Sequence, residues 1–266
     1  MPLITRTNYN ERGEAFEMID AAGKVSRTYA DHAGRTVRTI QNYVPSDPNI
    51  ANPCFCPGVE QNVTVDREYG PGGQMTALIA RNPVTGDQVT RYQYGVTLTD
   101  SDVASSDLLR SETYPDAADT TDRVFYSYNR QGQRKRTRDQ NGSIHDYTFD
   151  ALGRQTADTV TTLANGIDGT VRRIGTSYEV RGLVEKITSY GDTTGTSVVN
   201  EVQNVYNSFS QLTTQYQEPN GAVNTGTSAK VQYTYADGST NTIRPETLIY
   251  PSGTVLEYKY DDTAAE

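Results

Sequence analysis

The chain has 266 residues, a formal net charge of −9 and an isoelectric point near 4.8. Nucleic-acid binders need a positive stripe that neutralises phosphates, so this balance argues against them. No apolar run approaches the ~20 residues with which a helix spans a bilayer. Nineteen Tyr, no Trp and a preponderance of Thr suit strands, because flat and β-branched side chains pack well on a pleated surface. The expectation is a β protein with a thin core built from tyrosine.

The start, Met1-Pro2-Leu3-Ile4, lacks a hydrophobic stretch of signal-peptide length. The chain is therefore expected to stay where it is made, or to be part of a longer protein that is secreted or carried at the cell surface. Segment 9–35 reads YNERGEAFEMIDAAGKVSRTYADHAGR, with Gly13, Gly23 and Gly34 spaced ten and eleven residues apart. A strand of about six residues and a four-residue turn fill that interval, and such spacing signals an all-β array. Residues 45–62 carry Pro45, Pro48, Pro53 and Pro57 and read as a rigid loop. Within it, Cys54 and Cys56 form at most half of a thiolate site, and the two histidines, His32 and His145, are distant in sequence. No metal site is assigned.

Tyr69 and Gly73 mark the next turn. Residues 97–122, with Asp100, Asp102, Asp107, Asp116, Asp119 and Asp122, are expected to form a long acidic loop. They lack the frame of an EF-hand, so calcium is not assigned. Val124, Tyr126 and Tyr128 then alternate with Phe125 and Ser127, the pattern of a strand with one covered face. Arg134-Lys135-Arg136-Thr137-Arg138 is the most basic stretch, but a strand sends alternate side chains to opposite faces rather than forming one comb.

Segment 128–154 repeats the first. At an offset of 119 residues, Tyr9, Asn10, Gly13, Asp20, Gly23, Asp31, Gly34 and Arg35 fall on Tyr128, Asn129, Gly132, Asp139, Gly142, Asp150, Gly153 and Arg154. His145 shares strand parity with Tyr147 and Phe149 and reads as structural. Further on, Tyr178 and Gly182 mark another turn. Segments 163–170, 191–200 and 220–229 read as hairpin tips. Val231, Tyr233 and Tyr235, and then Leu256, Tyr258 and Tyr260, repeat the alternation.

The turns have a mechanism. In Tyr9/Gly13, Tyr69/Gly73, Tyr128/Gly132, Phe149/Gly153 and Tyr178/Gly182 an aromatic precedes Gly by four residues, often with Asn or Asp between them. An Asx side chain accepts backbone N–H bonds and closes a type I turn. A glycine in the left-handed region then completes a three-residue hairpin loop with a bulge. Two sites deviate: Ala30 stands in the aromatic place before Asp31, and Ser210 in the glycine place after Tyr206-Asn207.

Tyr147-Thr148-Phe149-Asp150-Ala151-Leu152-Gly153-Arg154 resembles the signature of the Rhs/YD-repeat family, Tyr-x-Tyr-Asp-x-x-Gly-Arg, with Phe in the second aromatic place. Weaker copies surround Tyr128 and Asp31, and the resemblance covers nearly the whole chain outside the loops. It implies an array of antiparallel β-hairpins forming a curved, spiralling sheet, a single array over 1–266 and part of an Rhs-type β-shell. It further implies a non-catalytic module that encloses or presents another polypeptide, with no cofactor. Its partners would be an enclosed effector or other segments of a longer shell. The family's self-cleavage motif, Asp-Pro-x-Gly, is missing, since Asp47-Pro48 is followed by Asn49-Ile50. A glycan-binding or adhesion module is the alternative, and a glycan hydrolase or lyase on a β scaffold the second.

Overall fold

The computed structural model describes residues 3–44, 60–82, 84–117, 122–235 and 243–260. The backbone divides into two compact units, Met1–Arg134 and Lys135–Glu266. Both consist of the same hairpins, so the array foreseen over 1–266 is described in two parts.

In the first unit the strands are β1 (Arg6–Tyr9), β2 (Ala15–Ile19), β3 (Val25–Ala30), β4 (Thr36–Gln41), β5 (Val63–Tyr69), β6 (Met75–Ala80), β7 (Gln88–Val96), β8 (Ser105–Thr113) and β9 (Val124–Tyr128). Each pairs antiparallel with the next. The second unit takes up β10 (Arg134–Arg138) and continues through β11 (Ile144–Phe149), β12 (Gln155–Thr162), β13 (Arg173–Tyr178) and β14 (Val184–Tyr190). It goes on with β15 (Val198–Tyr206), β16 (Leu212–Glu218), β17 (Ala229–Tyr235), β18 (Pro245–Ile249) and β19 (Val255–Glu257). These too pair in chain order. The described residues contain no helix. Sequential hairpins are the topology that short turns permit.

Within each unit the turns after odd-numbered strands lie on one edge, and most repeat a single geometry. Gly13, Gly34, Gly73, Gly132, Gly153 and Gly182 take φ between 77° and 93°. In the first of these turns Gly13 N donates to Asn10 O at 2.9 Å and Asn10 N to Glu14 O at 2.9 Å. The same pair of bonds closes the turn at Asn129, Asp150 and Glu179. The pairing shifts by one residue just before the aromatic, between Asn8 and Tyr9, Glu68 and Tyr69, and Ser177 and Tyr178. This is the bulge expected of a type I turn followed by a left-handed residue. Ser210 keeps that conformation at φ 64° although it has a side chain.

Loops cluster on the other edge. Residues 163–172, 191–197 and 219–228 connect strands, while Val198–Asn200 already belong to β15. The acidic loop expected over 97–122 is corrected: among its described residues 97–104 and 114–117 turn, but Ser105–Thr113 between them form β8. Backbone pairing along the nine-residue β7, Gln93 with Ser111 and Tyr94 with Leu109, outweighs the local polarity of this stretch. Most of the proline-rich loop, with Cys54 and Cys56, lies outside the described residues, as do Asp119 and the tail from Asp261.

The core is thin, as a single layer of strands requires. Val96, Tyr126 and Tyr128 are buried together, with Val103, Leu108, Leu109 and Val124 packed around them. The 97–104 turn seals this cluster, because Tyr128 N donates to Ser101 Oγ at 3.0 Å and Asp102 N to Tyr128 O at 2.8 Å. The covered face expected for Leu256, Tyr258 and Tyr260 is not covered: all three stand about 40% exposed. Among the described residues β19 pairs with β18 alone, so no further strand shields its side chains.

Replacing Gly153 with Val should lower stability by about 1–2 kcal/mol, the cost of a left-handed L-residue. His145→Ala should cost less, whereas Ser210→Gly should add up to about 1 kcal/mol. Urea unfolding of the three variants checks this order, and equal shifts for Gly153→Val and His145→Ala would contradict the turn geometry.

Candidate functional site: a tyrosine and arginine ladder along the turns

The residues of the repeat signature meet at the turn edge. In the Asp150 turn, Asp150 Oδ1 accepts from Leu152 N at 2.9 Å and Arg154 N at 3.0 Å, and Oδ2 accepts from Arg154 Nε at 2.7 Å. Asp31 does the same with Ala33 N at 2.9 Å, Arg35 N at 3.0 Å and Arg35 Nε at 2.8 Å. Asn10 and Asn129 accept the corresponding pairs of N–H bonds. The recurrent carboxylates therefore close turns at separate hairpin ends, as side chains that accept local N–H bonds do.

Each turn is also tied to its neighbour. Tyr69 donates its hydroxyl to Thr36 O at 2.9 Å, Tyr178 to Gln155 O at 2.9 Å, Tyr206 to Val184 O at 2.8 Å and Tyr235 to Leu212 O at 2.8 Å. In every case the acceptor lies two residues beyond the left-handed residue of the preceding hairpin on that edge. Tyr128 reaches Leu109 O at 2.7 Å and Tyr260 reaches Pro245 O at 2.9 Å. Ala30 and Phe149, the two departures from tyrosine, have no hydroxyl to give. Tyr147 instead stacks on His145, ring centroids 6.3 Å apart, and Tyr9 is largely exposed on β1.

The arginine after the turn glycine adds a second tie. Arg35 lies 4.7 Å from the ring centre of Tyr69, and Arg154 lies 4.3 Å from that of Tyr178. Each guanidinium is thus shared between the aspartate of its own turn and the tyrosine of the next. An arginine inside the turn can also bridge, as Arg181 Nη1 does to Asn207 O at 2.6 Å. Sequence reasoning marked Arg35 and Arg154 but missed what they hold. The available signal was the fixed Gly-Arg pair with a tyrosine one hairpin later.

Other charged clusters are self-satisfied. Asp66 is 7% exposed and takes Arg38 Nη2 at 2.8 Å and Arg81 Nε at 2.7 Å, while Arg81 also pairs with Asp87 at 2.6 Å. Burial pushes the Asp66 carboxyl up, but hydrogen bonds from Arg38 and Arg81 outweigh it and hold it below the usual range. Glu201 behaves alike: burial opposes its charge, and Thr188 Oγ1 at 2.7 Å, Lys186 Nζ at 2.9 Å and Val223 N at 3.1 Å prevail. In the cleft beside Asp66, about 480 Å³ and lined by Tyr29, Ile40 and Ile79, Arg38, Asp66 and Arg81 are therefore already matched to one another.

His145 Nδ1 sits 2.7 Å from Asp158 Oδ1. Among the described residues no hydroxyl or thiol is hydrogen-bonded to His145 or His32, so neither stands beside an activated nucleophile. Of the acidic stretch, Asp100 pairs with Arg110 at 2.9 Å and Asp107 with Gln74 at 2.9 Å. Among the described residues no three metal-ligating side chains gather. In the basic stretch, Arg136 pairs with Asp146 at 2.5 Å, and Arg134 lies 3.9 Å from the Tyr126 ring centre.

The fold and this ladder define a class, the sequential array of antiparallel hairpins tied turn to turn. A similar fold is found in the pore form of the Tc holotoxin of Photorhabdus luminescens, at 13% identity and a TM-score of 0.55, over 97% of this chain and 14% of that one. Crystal structures of TcdB2-TccC3 are also similar. One shows 13% identity and a TM-score of 0.37 over 97% of this chain and 16% of that one; the form without the hypervariable C-terminal region shows 14%, 0.31, 97% and 17%. The chain thus spans about one seventh of the length of the holotoxin chain it matches. No family model and no curated protein matches it.

Tyr178→Phe should cost about 1 kcal/mol, the worth of one net hydrogen bond, and Tyr250→Phe, at an exposed ring, distinctly less. Chemical unfolding of both variants checks this. Acid should also weaken the fold. Asp31 is held low first by the Arg35 guanidinium, and Asp150 first by the Arg154 N–H and then by its guanidinium. With folded values below the unfolded one of about 3.9, the contribution is full above that pH and fades as pH falls through the folded values. Thermal melts from pH 7 to pH 3 should show the loss, and Asp150→Asn should flatten it.

Proposed function

We propose that this chain is a stretch of shell wall of the Rhs/YD-repeat kind, which encloses or presents another polypeptide. The observation that carries this reading is the ladder of tyrosine hydroxyls on neighbouring carbonyls, from Tyr69 to Tyr260, in a fold shared over 97% of the chain with a Tc holotoxin chain. A wall acts by exclusion. Paired backbone leaves few gaps, and stability accumulates from many small ties between neighbours, as in other repeat arrays. No cofactor is invoked, and the enclosed effector or further shell segments are the partners proposed.

The test is to express the chain with the polypeptide encoded next to it and treat the purified material with protease. The companion should survive a dose that destroys it when alone, and become sensitive once the chain is unfolded. Equal digestion with and without the chain would overturn the proposal. Retention of the chain on a glycan array without any companion would favour an adhesion module instead.

A further inference from the structure

The edge opposite the tyrosine ladder carries three Asn-Gly pairs, in the connectors after β10, β12 and β16: Asn141-Gly142, Asn165-Gly166 and Asn220-Gly221. The pairing is chemically special because glycine has no Cβ to shield its backbone nitrogen from the preceding side chain. All three asparagines are exposed, yet their glycine amides differ. Gly142 N is engaged with Asp139 O at 3.2 Å, inside a turn also held by Ser143 N on Asp139 Oδ1 at 2.8 Å. Gly166 N and Gly221 N have no hydrogen-bond partner among the described residues. Gly221 takes φ 135°, and a Cβ placed there would meet nothing within 4 Å.

We propose that Asn220, with Asn165 second, is a site of spontaneous backbone rearrangement from which Asn141 is protected. Solvent base removes the Gly221 N–H proton and the nitrogen attacks Asn220 Cγ. The new C–N bond closes a succinimide as the side-chain nitrogen leaves as ammonia. Water then opens the ring at either carbonyl, giving aspartate or isoaspartate. No oxidant or cofactor is needed. The site bears on the fold because its loop is fastened to the sheet, Val223 N to Glu201 at 3.1 Å and Ser228 Oγ to Glu218 Oε2 at 2.7 Å. Isoaspartate would lengthen the backbone by a methylene and place a new carboxylate beside Glu218, whose Oε1 accepts from Asn220 N at 3.3 Å.

The experiment is to incubate the folded chain at mildly alkaline pH and follow the three sites by peptide mapping, with isoaspartate methyltransferase labelling as a second readout. Acidic products should accumulate at Asn220 and Asn165 about two- to tenfold faster than at Asn141, the factor that one turn hydrogen bond supplies. In urea the three rates should converge. Asn220→Gln should remove the signal at that site alone. The proposal falls if Asn141 keeps pace in the folded chain, if the same ranking persists in urea, or if Asn220 yields no acidic product.

Discussion

A hairpin that must reverse within three residues forces one of them into the left-handed region, and much of this molecule is arranged around that demand. Glycine meets it after Tyr9, Tyr69, Tyr128, Phe149 and Tyr178, and serine does so at Ser210, where φ is 64°. The turn in turn sets the bulge, and the bulge sets the direction of the aromatic beside it. Because the aromatics at Tyr69, Tyr178, Tyr206 and Tyr235 leave their strands at equivalent points, each hydroxyl finds the same backbone carbonyl one hairpin away.

A one-layer sheet has little interior with which to stabilise itself, and this chain replaces depth with lateral ties. Its buried residues include Thr64, Asp66, Ser111, Thr188 and Glu201 alongside Ile40, Ala77 and Tyr126. Polar groups are tolerated there because each of the buried carboxylates is met by several donors. The arginines extend the scheme: Arg35 and Arg154 link the aspartate of one turn to the tyrosine of the next. Such sharing makes neighbouring hairpins support one another, as the array needs.

Within each unit the two edges of the sheet serve different ends. Short turns of one geometry dominate the edge that follows odd-numbered strands, where the ladder runs. Longer connectors collect on the other, including 163–172 and 219–228. Variation in length is cheap at an exposed connector, whereas inserting a residue at the ladder edge would move a tyrosine away from its carbonyl.

Read alone, the sequence determined the all-β hairpin array and its turn chemistry, because period-two alternation and Asx-x-x-Gly spacing are local constraints that act within about ten residues. It also placed the aspartates Asp31 and Asp150 in turns. It misread Ser105–Thr113, whose strand depends on pairing with β7, and the cover over Leu256, Tyr258 and Tyr260, which depends on a neighbouring strand. The partners of the tyrosine hydroxyls and the sharing of Arg35 and Arg154 were decided only by the tertiary structure. Those contacts join residues 15 to 34 positions apart across a sheet, and register between strands, not local propensity, brings them within reach.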